Sequence, residues 1–506
     1  MISNLFELLG MQPLPVPTVL WLLYTAYLVG SIVFIIMDNR EPSQTLAWIF
    51  SFLALPVVGL VIYFFFGRNT QLFSQKQRLV QQAIGTSLTR QLTPLAERQA
   101  ERVMTLSSDF RRSLAQRRLV EMLHRTQLSA FTVCNEVEIL QDAQEKYPRL
   151  IADIEAARDS IHMEYFTWQA DPFMQDFGDL LIRKAREGVE VRILFDTLGS
   201  HFLLWRNRRY LNRLRRGGVQ IYPYLNFLGL LRLHTINYRN HRKIAVIDGK
   251  IGYTGGMNMG EEQLNGAGPY GGWRDTHLRL TGDVVAILQG IFITSWYNTT
   301  NERLTDRRYF PNVERVGQCD WESGVPLQVV LSGPDSQWYA IQQLYFLMIT
   351  AAQRHVYIQS PFFIPDPAIA QALKVAAMSG VDVKLMCAPR DTAWPLSNWA
   401  ANTYFAEMAR AGVRVFLYQP AYMHAKTVSI DSAVCSIGTA NVDMRSFHIN
   451  YEMNVVIYDA AKTRELEAAF VRDLEHCIEF NLAEYRNRPG WLRLRDSVAR
   501  LFSPLL

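Results

Sequence analysis

The apolar positions of this chain fall first in two long runs near its beginning. Residues 19–37 and residues 46–66 contain no charged side chain. Each run is long enough to cross about 30 Å of hydrocarbon as a helix. No basic segment precedes the first run and no small-residue cleavage pattern follows it, which disfavours a signal peptide. The pattern therefore predicts a hairpin of two transmembrane helices within residues 1–67, with Pro56 and Gly59 at a kink in the second helix.

A polar stretch follows the apolar runs. Residues 68–130 are rich in Gln, Arg and Leu, and they predict a helical connector that lies near the membrane surface. Basic residues accumulate here from Arg68, Lys76 and Arg78 onward. The positive-inside rule then places the short turn between the two helices outside and the rest of the chain in the cytoplasm.

The remaining pattern alternates between helical and strand periods, and it does so twice. Gly188 closes a helix before an alternating strand in the first copy, and Gly380 does the same in the second copy. Strands that alternate with helices are typical of βαβ units and a parallel or mixed sheet. The sequence therefore predicts two α/β halves of one design, residues 131–320 and residues 321–506, packed face to face about a pseudo-twofold axis.

A fixed spacing of polar residues also occurs once in each half. A histidine is followed by lysine after two residues, by aspartate after seven and by asparagine after 17. The two copies are His241, Lys243, Asp248 and Asn258, and His424, Lys426, Asp431 and Asn441. Of the ten histidines in the chain, only these two lie in His-x-Lys. Two copies of so specific a spacing indicate a common chemical task.

The residue types favour phosphoryl transfer. Neutral imidazole is a nucleophile near neutral pH, and ammonium and amide groups can hold phosphate oxygens and stabilise charge in the transition state. A histidine and a lysine two residues apart on a strand project from the same face. Each half would thus supply one imidazole and one cation to a shared pocket. One histidine would attack phosphorus, while the other would act first as an acid and then as a base.

These motifs resemble the His-Lys-Asp signature of the phospholipase D superfamily. The resemblance implies two phospholipase D-like α/β/α domains with one site between them. It also implies that an acidic residue about thirty positions after each histidine, Asp275 or Glu452, orients the catalytic imidazole. One departure is Gly256, where the family often has serine, whereas the second half has Thr439 at that place.

The motif aspartates have two interpretations. By the resemblance, Asp248 and Asp431 belong with the catalytic residues of the signature. Asp-Gly at 248–249 is, however, a strong turn signal, which favours a structural role for both aspartates.

The membrane region carries a narrower resemblance. Residues 42–68, with Ala47-Trp48, Pro56, Gly59 and a Tyr-Phe-Phe-Phe-Gly-Arg ending, are similar to the segment that precedes the catalytic part of bacterial cardiolipin synthases. That similarity implies a phosphatidyltransferase of the bacterial inner membrane that joins two phosphatidylglycerol molecules into cardiolipin and releases glycerol. His241 is the preferred nucleophile and His424 the acid and base. The lysines and asparagines would hold the phosphate, and neither a metal nor another cofactor is expected.

Other functions remain open from the residues alone. If water reached the intermediate, the product would be phosphatidic acid and the protein a phospholipase D; a membrane-anchored nuclease is a further alternative. A scaffold with a vestigial site is disfavoured by two intact motifs. The apolar run at residues 226–232 and the Arg, Trp and Leu pattern at residues 491–506 favour a lipid surface, and no basic and aromatic groove for nucleic acid is evident. The choice between phosphatidylglycerol and phosphatidylethanolamine as donor stays open, and two membrane helices are compatible with a homodimer.

Composition adds little to this picture. The net charge of +5 fits attraction to an anionic membrane, and the hydrophobic fraction of 49% is high for a wholly soluble protein. Five scattered cysteines without a Cys-x-x-Cys motif argue against a disulfide framework and a structural zinc site. They fit a reducing compartment, and all five are interpreted as small buried apolar residues rather than as disulfide or metal-binding residues.

Overall fold

The computed structural model describes most of the chain beyond its first third. The described residues are 16–37, 42–63, 114–127, 129–224, 237–266, 271–311, 324–388 and 395–506. Contacts divide the chain into two compact units, each of which is taken separately. One unit comprises residues 1–72 with 227–237, and the other comprises residues 73–226 with 238–506.

The first unit contains three apolar helices. They are α1 (Val16–Met37), α2 (Pro42–Ala54) and α3 (Pro56–Ile62). Among the described residues, only the helix at Pro17–Met37, with a mean hydropathy of 2.2, is long and apolar enough to cross a membrane. A hairpin of two transmembrane helices is therefore not confirmed.

The second predicted membrane helix is interrupted. It is split into α2 and α3 at Leu55, because Pro56 disfavours helical backbone in the residue before it. The end of this run, residues 64–66, lies outside the described residues. The Tyr27 hydroxyl of α1 donates to the Pro56 carbonyl at 2.8 Å, and the rings of Tyr27 and Phe52 meet edge to face. The split helix therefore folds back against α1.

The described part of the second unit begins with α4 (Leu114–Gln127), at the end of the predicted connector, whose residues 68–113 lie outside the described part. The first half then contains eight short or medium strands and six helices among its described residues. The strands are β2 (Asn135–Leu140), β3 (Ser160–Tyr165), β4 (Glu190–Asp196), β5 (Gln220–Tyr224), β6 (Ile244–Ile247), β7 (Ile251–Gly255), β8 (Trp273–Arg274) and β9 (His277–Gly282), preceded by β1 (Phe131–Thr132). The helices are α5 (Ala143–Ala156), α6 (Pro172–Arg186), α7 (His201–Trp205), α8 (Arg208–Arg216), α9 (Glu262–Asn265) and α10 (Val284–Thr300).

The second half repeats this order with small additions. Its strands are β10 (Leu327–Ser332), β11 (His355–Gln359), β12 (Phe363–Ile364), β13 (Asp382–Cys387), β14 (Arg414–Tyr418), β15 (Tyr422–Met423), β16 (Thr427–Ile430), β17 (Val434–Gly438), β18 (Val442–Asp443), β19 (Glu452–Ile457) and β20 (Cys477–Glu479). Its helices are α11 (Ala340–Ala351), α12 (Pro367–Met378), α13 (Pro395–Arg410), α14 (Met444–His448), α15 (Ala460–Leu474), α16 (Leu482–Arg486) and α17 (Gly490–Arg500).

The two large sheets have matching topology. The first has the order β2-β9-β7-β6-β3-β4-β5, and the second contains β10-β19-β17-β16-β11-β13-β14 in the same places. In each, three strands are parallel and the others antiparallel, so the mixed α/β fold with two repeated halves is confirmed. β1 pairs with β10, so residues 131–132 contribute to the sheet of the other half.

The sheets pack face to face through a shared apolar core. Ile244 and Leu278 from the first sheet join Ile437 and Val455 from the second in this core, and all four are fully buried. The helices α5 and α6 cover the outer face of the first sheet, while α11 and α12 cover that of the second. The carboxyl ends of β3 and β4 and the start of β6 therefore lie along one edge, beside the boundary between the halves.

One expectation about cysteine is wrong. Cys134 is disulfide-bonded, whereas Cys387, Cys435 and Cys477 are free thiols and Cys319 lies outside the described residues. The positions of scattered cysteines along a chain do not reveal which of them folding brings within bonding distance. The inference of a reducing compartment from cysteine spacing loses its support.

Candidate active site

His241 lies where the chain enters β6, against a segment of the second half. Asn240 forms a bridge to Tyr451, and the backbone N–H of His241 donates to the Tyr451 carbonyl at 2.9 Å. The His241 Nδ1 lies 3.0 Å from Oε2 of Glu452, which opens β19. The imidazole is therefore held by main-chain and side-chain contacts that come from the other half.

His424 has the mirrored arrangement. It follows β15, which pairs in parallel with β8 of the first half. Its backbone N–H donates to the Arg274 carbonyl at 2.7 Å, and its Nδ1 lies 2.6 Å from Oδ2 of Asp275. Both imidazoles are buried, with exposures of 8% for His241 and 9% for His424.

The carboxylates are thus exchanged between the halves. Asp275 belongs to the first half and contacts the histidine of the second, while Glu452 of the second half contacts the histidine of the first. The sequence predicted these two acids as partners of imidazoles, and the structure places both within hydrogen-bonding distance of one. Spacing along the chain did not indicate that the partners would be crossed.

The two motif lysines lie in the same buried region. The Lys243 ammonium donates to the His241 carbonyl at 2.7 Å, and Lys426 makes the equivalent bond to the His424 carbonyl. Burial, the largest influence, lowers the pKa of Lys243 to about 7 against the attraction of Glu452. Burial likewise lowers the pKa of Lys426 to about 8 against the attraction of Asp275 and Glu452. An anion bound between them would be attracted by both.

The imidazoles are held in their neutral form. Burial lowers the pKa of His424 to about 3, with Lys426 adding to the effect and Asp275 opposing it. Burial also lowers the pKa of His241, which is opposed by Glu452 and reinforced by Lys243 and Lys426. A neutral imidazole bonded through Nδ1–H to a carboxylate leaves Nε2 with a free lone pair.

Both carboxylates are ionised, but the residues that contact them differ. Burial alone would raise the pKa of Asp275 and of Glu452, yet the facing imidazoles and the lysines outweigh it and hold each pKa below its ordinary range. Thr439 donates its hydroxyl to Glu452 at 2.5 Å. At the equivalent place, a Cβ on Gly256 would lie 2.0 Å from Oδ1 of Asp275. The family serine is therefore replaced by glycine where the carboxylate itself fills the space.

The motif asparagines border the same region. Asn258 is 6% exposed, and its Oδ1 accepts from the backbone N–H of Thr167 at 3.2 Å. Asn441 is 7% exposed, and its backbone N–H donates to the Ser446 hydroxyl at 3.2 Å. Within the described residues, the Oδ1 of Asn441 has no hydrogen-bond partner.

The motif aspartates lie at the other end of their strands. Asp248 follows β6, and its carboxylate accepts from the backbone N–H groups of residues 158, 159 and 160 at 2.8 to 3.2 Å. Asp431 accepts from those of residues 353, 354 and 355 at 2.7 to 3.0 Å. Both adopt left-handed backbone, with φ of 52° and 54°. The structure does not bring them to the histidines, and their geometry fits the turn role rather than the catalytic one.

The sequence analysis missed Lys146. Its ammonium is fully buried, donates to the Asn258 carbonyl at 3.3 Å and lies 4.9 Å from the centre of the Tyr165 ring. Burial lowers the pKa of Lys146 to about 7, against the attraction of Asp275. The signal was present in the pattern, because this lysine occupies a position on the apolar stripe of α5 beside Tyr147 and Leu150.

Two other histidines lie outside the crossed pairs. His277 on β9 is fully buried opposite Gly255, and burial together with Lys146 and Lys243 lowers its pKa. His448 is half-buried, with Nε2 4.0 Å from Asp366. Within the part of the chain that the structure describes, no group of three or more His, Cys, Asp or Glu could hold a metal ion.

Known proteins share this arrangement of sequence and fold. The family described as "Cardiolipin synthase, PLD-like domain" matches residues 150–267 and 345–474, and that described as "Phospholipase_D-nuclease N-terminal" matches residues 26–68. The solved structure of phosphatidylserine synthase from Haemophilus influenzae Rd KW20 has the same fold, with a TM-score of 0.58 at 14% identity. The match covers 77% of this chain and 100% of that one.

Relatives match over nearly their whole length. A cardiolipin synthase of Geobacillus sp. (strain WCH70) is 38% identical over 475 residues, which is 93% of this chain and 90% of the relative. The major cardiolipin synthase ClsA of Bacillus subtilis (strain 168) is 36% identical over 482 residues, which is 94% of this chain and 96% of the relative. The chain belongs to the bacterial cardiolipin synthase family of phospholipase D-like proteins.

Proposed function

We propose that this protein is a cardiolipin synthase that transfers a phosphatidyl group from one phosphatidylglycerol to a second, giving cardiolipin and glycerol. One observation carries the proposal. Two buried imidazoles, each bonded to a carboxylate of the opposite half, lie with two buried lysines in one region. This is the set of groups that a two-step exchange through a phosphatidyl-histidine requires.

In the first step we assign His241 as the nucleophile. Its Nε2 lone pair forms a bond to phosphorus while the bond between phosphorus and the glycerol oxygen breaks. His424, protonated at Nε2, delivers that proton to the departing oxygen. The phosphate anion favours this protonated state, because a nearby negative charge raises the pKa of an imidazole.

In the second step the terminal hydroxyl of another phosphatidylglycerol attacks the intermediate. His424 takes the hydroxyl proton, the bond between phosphorus and His241 breaks, and cardiolipin leaves. One phosphodiester replaces another, so the exchange needs no energy input. The low exposure of both imidazoles restricts water and favours the lipid alcohol as acceptor.

The lysines and asparagines hold the transferred phosphate. Lys243 and Lys426 supply positive charge against the phosphate oxygens, and this charge stabilises the transition state. The Asn258 amide is oriented by the bond from Thr167 to its oxygen, which turns its N–H groups toward other acceptors. Asn441 provides the matching amide in the second half.

The first unit anchors the enzyme as a hairpin of two membrane helices with the catalytic part on the cytoplasmic side. The contact of α2 and α3 with α1 supports the hairpin, and the basic residues after residue 67 support the side. The disulfide at Cys134 weighs against that side, because disulfides persist in oxidising compartments.

Product analysis in phosphatidylglycerol vesicles tests the reaction. Wild type is expected to give cardiolipin and glycerol in equal amounts. His241→Ala and His424→Ala each remove a reacting group and should lower the rate by at least about 10³-fold. His476→Ala, which changes an exposed histidine, is the matched control. Phosphatidic acid without cardiolipin would show a phospholipase, and cleavage of nucleic acid without lipid turnover would show a nuclease.

The aspartate that bonds an imidazole and the aspartate at a turn should respond differently to substitution by alanine. Asp275→Ala leaves His424 without its orienting carboxylate and should lower kcat per folded molecule by about 10²- to 10⁴-fold. Asp248→Ala removes an acceptor of three backbone N–H groups and should cost about 1.5–3 kcal/mol of stability while the folded fraction stays active. Thermal unfolding and kcat per folded molecule separate the two, and an inactive but fully stable Asp248→Ala would return Asp248 to the catalytic set.

The lysines predict a decline in activity on the alkaline side. Lys243 and Lys426 must carry a proton to bind phosphate, and in the free enzyme their pKa values are about 7 and about 8. As pH rises through these values both lose charge, so kcat/KM should fall. The double variant Lys243→Arg/Lys426→Arg keeps both charges and should move the decline to higher pH. A decline that the two arginines leave unmoved would assign it to another group.

Cysteine labelling tests the membrane orientation. Asn39→Cys places a thiol in the sequence between the two apolar runs, and Arg414→Cys places one on an exposed position of β14. An impermeant maleimide applied to intact spheroplasts should label the first variant and should reach the second only after lysis. The reverse pattern would place the catalytic part outside, where the Cys134 disulfide is stable.

A further inference from the structure

Three apolar side chains are exposed at the edge of the first sheet that carries His241. Leu198 is 44% exposed in the loop after β4, and Phe202 and Trp205 on α7 are 53% and 71% exposed. Burying such side chains in protein or lipid removes apolar surface from water. Exposure of these side chains to water is unfavourable, which suits a surface that is covered when the enzyme works.

This loop is tied to the backbone beside His241. Asp196, at the end of β4, is fully buried. Its carboxylate accepts from the backbone N–H groups of Leu198 and Gly199 at 2.9 and 3.0 Å, and from that of Asn240 at 2.9 Å. One carboxylate therefore fixes both the loop and the residue that precedes the histidine.

A second link runs through an aromatic ring. The Ser200 hydroxyl donates to the Phe166 carbonyl at 3.0 Å, and a Cβ on Gly199 would lie 2.4 Å from that carbonyl oxygen. The Phe166 ring meets the His241 ring edge to face at 4.9 Å. The loop that carries the exposed side chains and the His241 ring therefore both contact Phe166.

The segment that carries these side chains accounts for the net positive charge of the protein. Residues 197–224 contain six arginines and no aspartate or glutamate, while the whole chain has a net charge of +5. The rest of the chain therefore sums to −1. Arg206, Arg208 and Arg209 are exposed, and among the described residues none of them has a carboxylate within ion-pair distance. The guanidinium of Arg206 lies over the Phe202 ring at 5.3 Å.

We propose that this surface docks on the anionic face of the bilayer and presents lipid headgroups to the side of the site that holds His241. The docking patch is defined as Leu198, Phe202, Trp205, Arg206, Arg208 and Arg209. Aromatic and apolar side chains enter the interfacial region while arginines meet lipid phosphates, a combination that suits an anionic membrane. The proposal rests on the proposed function, since the lipids that it recruits are the substrates of that reaction.

Another exposed apolar stripe lies on α17, where carboxylates compensate more of the positive charge than they do in the docking patch. Trp491 and Leu494 are 67% and 65% exposed. Arg495 of α17 and the preceding Arg488 both bond the buried Asp496, and Arg500 bonds Glu407. Among the described residues of α17, only Arg493 is an exposed arginine without a carboxylate within ion-pair distance. Charge complementarity to an anionic surface therefore favours the docking patch over α17.

The test compares aggregated with dispersed substrate for the full chain. In mixed micelles at varied surface fractions of phosphatidylglycerol, the double variant Phe202→Ser/Trp205→Ser should raise the interfacial KM about 10-fold or more. Arg206→Gln/Arg209→Gln should raise it about 5-fold for each arginine. The rate with short-chain phosphatidylglycerol below its critical micelle concentration should stay unchanged, because no surface is involved.

Matched controls separate docking from general damage. Met378→Ser changes a side chain that is 67% exposed at the last residue of α12 in the second half, and Arg216→Gln changes the last residue of α8. Both should leave the interfacial KM at its wild-type value. Equal loss of activity on short-chain substrate in the patch variants would overturn the proposal, because it would show damage to the site itself.

A second readout does not depend on turnover. Brominated phosphatidylglycerol quenches tryptophans at the lipid surface, and the quenched fraction should fall in Trp205→Ser but not in Trp491→Ser. The proposal would be overturned if only Trp491→Ser reduced quenching. It would also be overturned if the patch variants changed the mass of the oligomer and left quenching and the interfacial KM unchanged. Absence of cardiolipin from wild type with quenching at Trp205 intact would instead count against the proposed reaction and support the docking.

Discussion

The site depends on two hydrogen bonds that cross between the halves of the chain. Asp275 and Glu452 are almost completely buried, and an ionised carboxylate in such a place is costly without a partner. Each finds its partner in the histidine of the opposite half. The pairing that steadies an imidazole thereby also holds the two sheets in register at the edge where the chemistry takes place.

The two halves have the same backbone topology but differ in the side chains around their histidines. The strand orders of the two sheets correspond place by place, and so do the main-chain bonds from Lys243 and Lys426. The second half has the longer acid, Glu452, with a hydroxyl donor from Thr439, whereas the first has the shorter Asp275 against Gly256. Lys146 adds a cation on the side of the first half. Such differences give two similar histidines unequal surroundings, which suits a reaction that assigns them unequal tasks.

The sequence predicted the repeated α/β halves because hydrophobic period and helix-closing glycines are local signals. It also predicted that His241, Lys243, His424 and Lys426 share one region, because they have a common spacing, and that Asp275 and Glu452 contact imidazoles. The assignment of Asp248 and Asp431 to the catalytic residues does not agree with their place at the turns. The sequence could not predict the exchange of Asp275 and Glu452, because distance along a chain does not say which half folds across the other. The Cys134 disulfide was missed for the same reason, since it depends on a contact between distant segments. The burial of Lys146 was missed although its position on the apolar stripe of α5 indicated it. Pro56 predicted a kink, and the structure shows a division between α2 and α3.

The exchanged acids bear on how such an enzyme could have arisen. A chain with a single half would hold a histidine without its carboxylate and a carboxylate without its histidine. Two identical copies related by a twofold axis would complete both pairs at once, and joining the copies into one chain would preserve them. Only after that fusion could the two histidines diverge, because in a symmetric pair any substitution appears twice. The glycine and threonine at residues 256 and 439 are the kind of difference that a single fused chain permits.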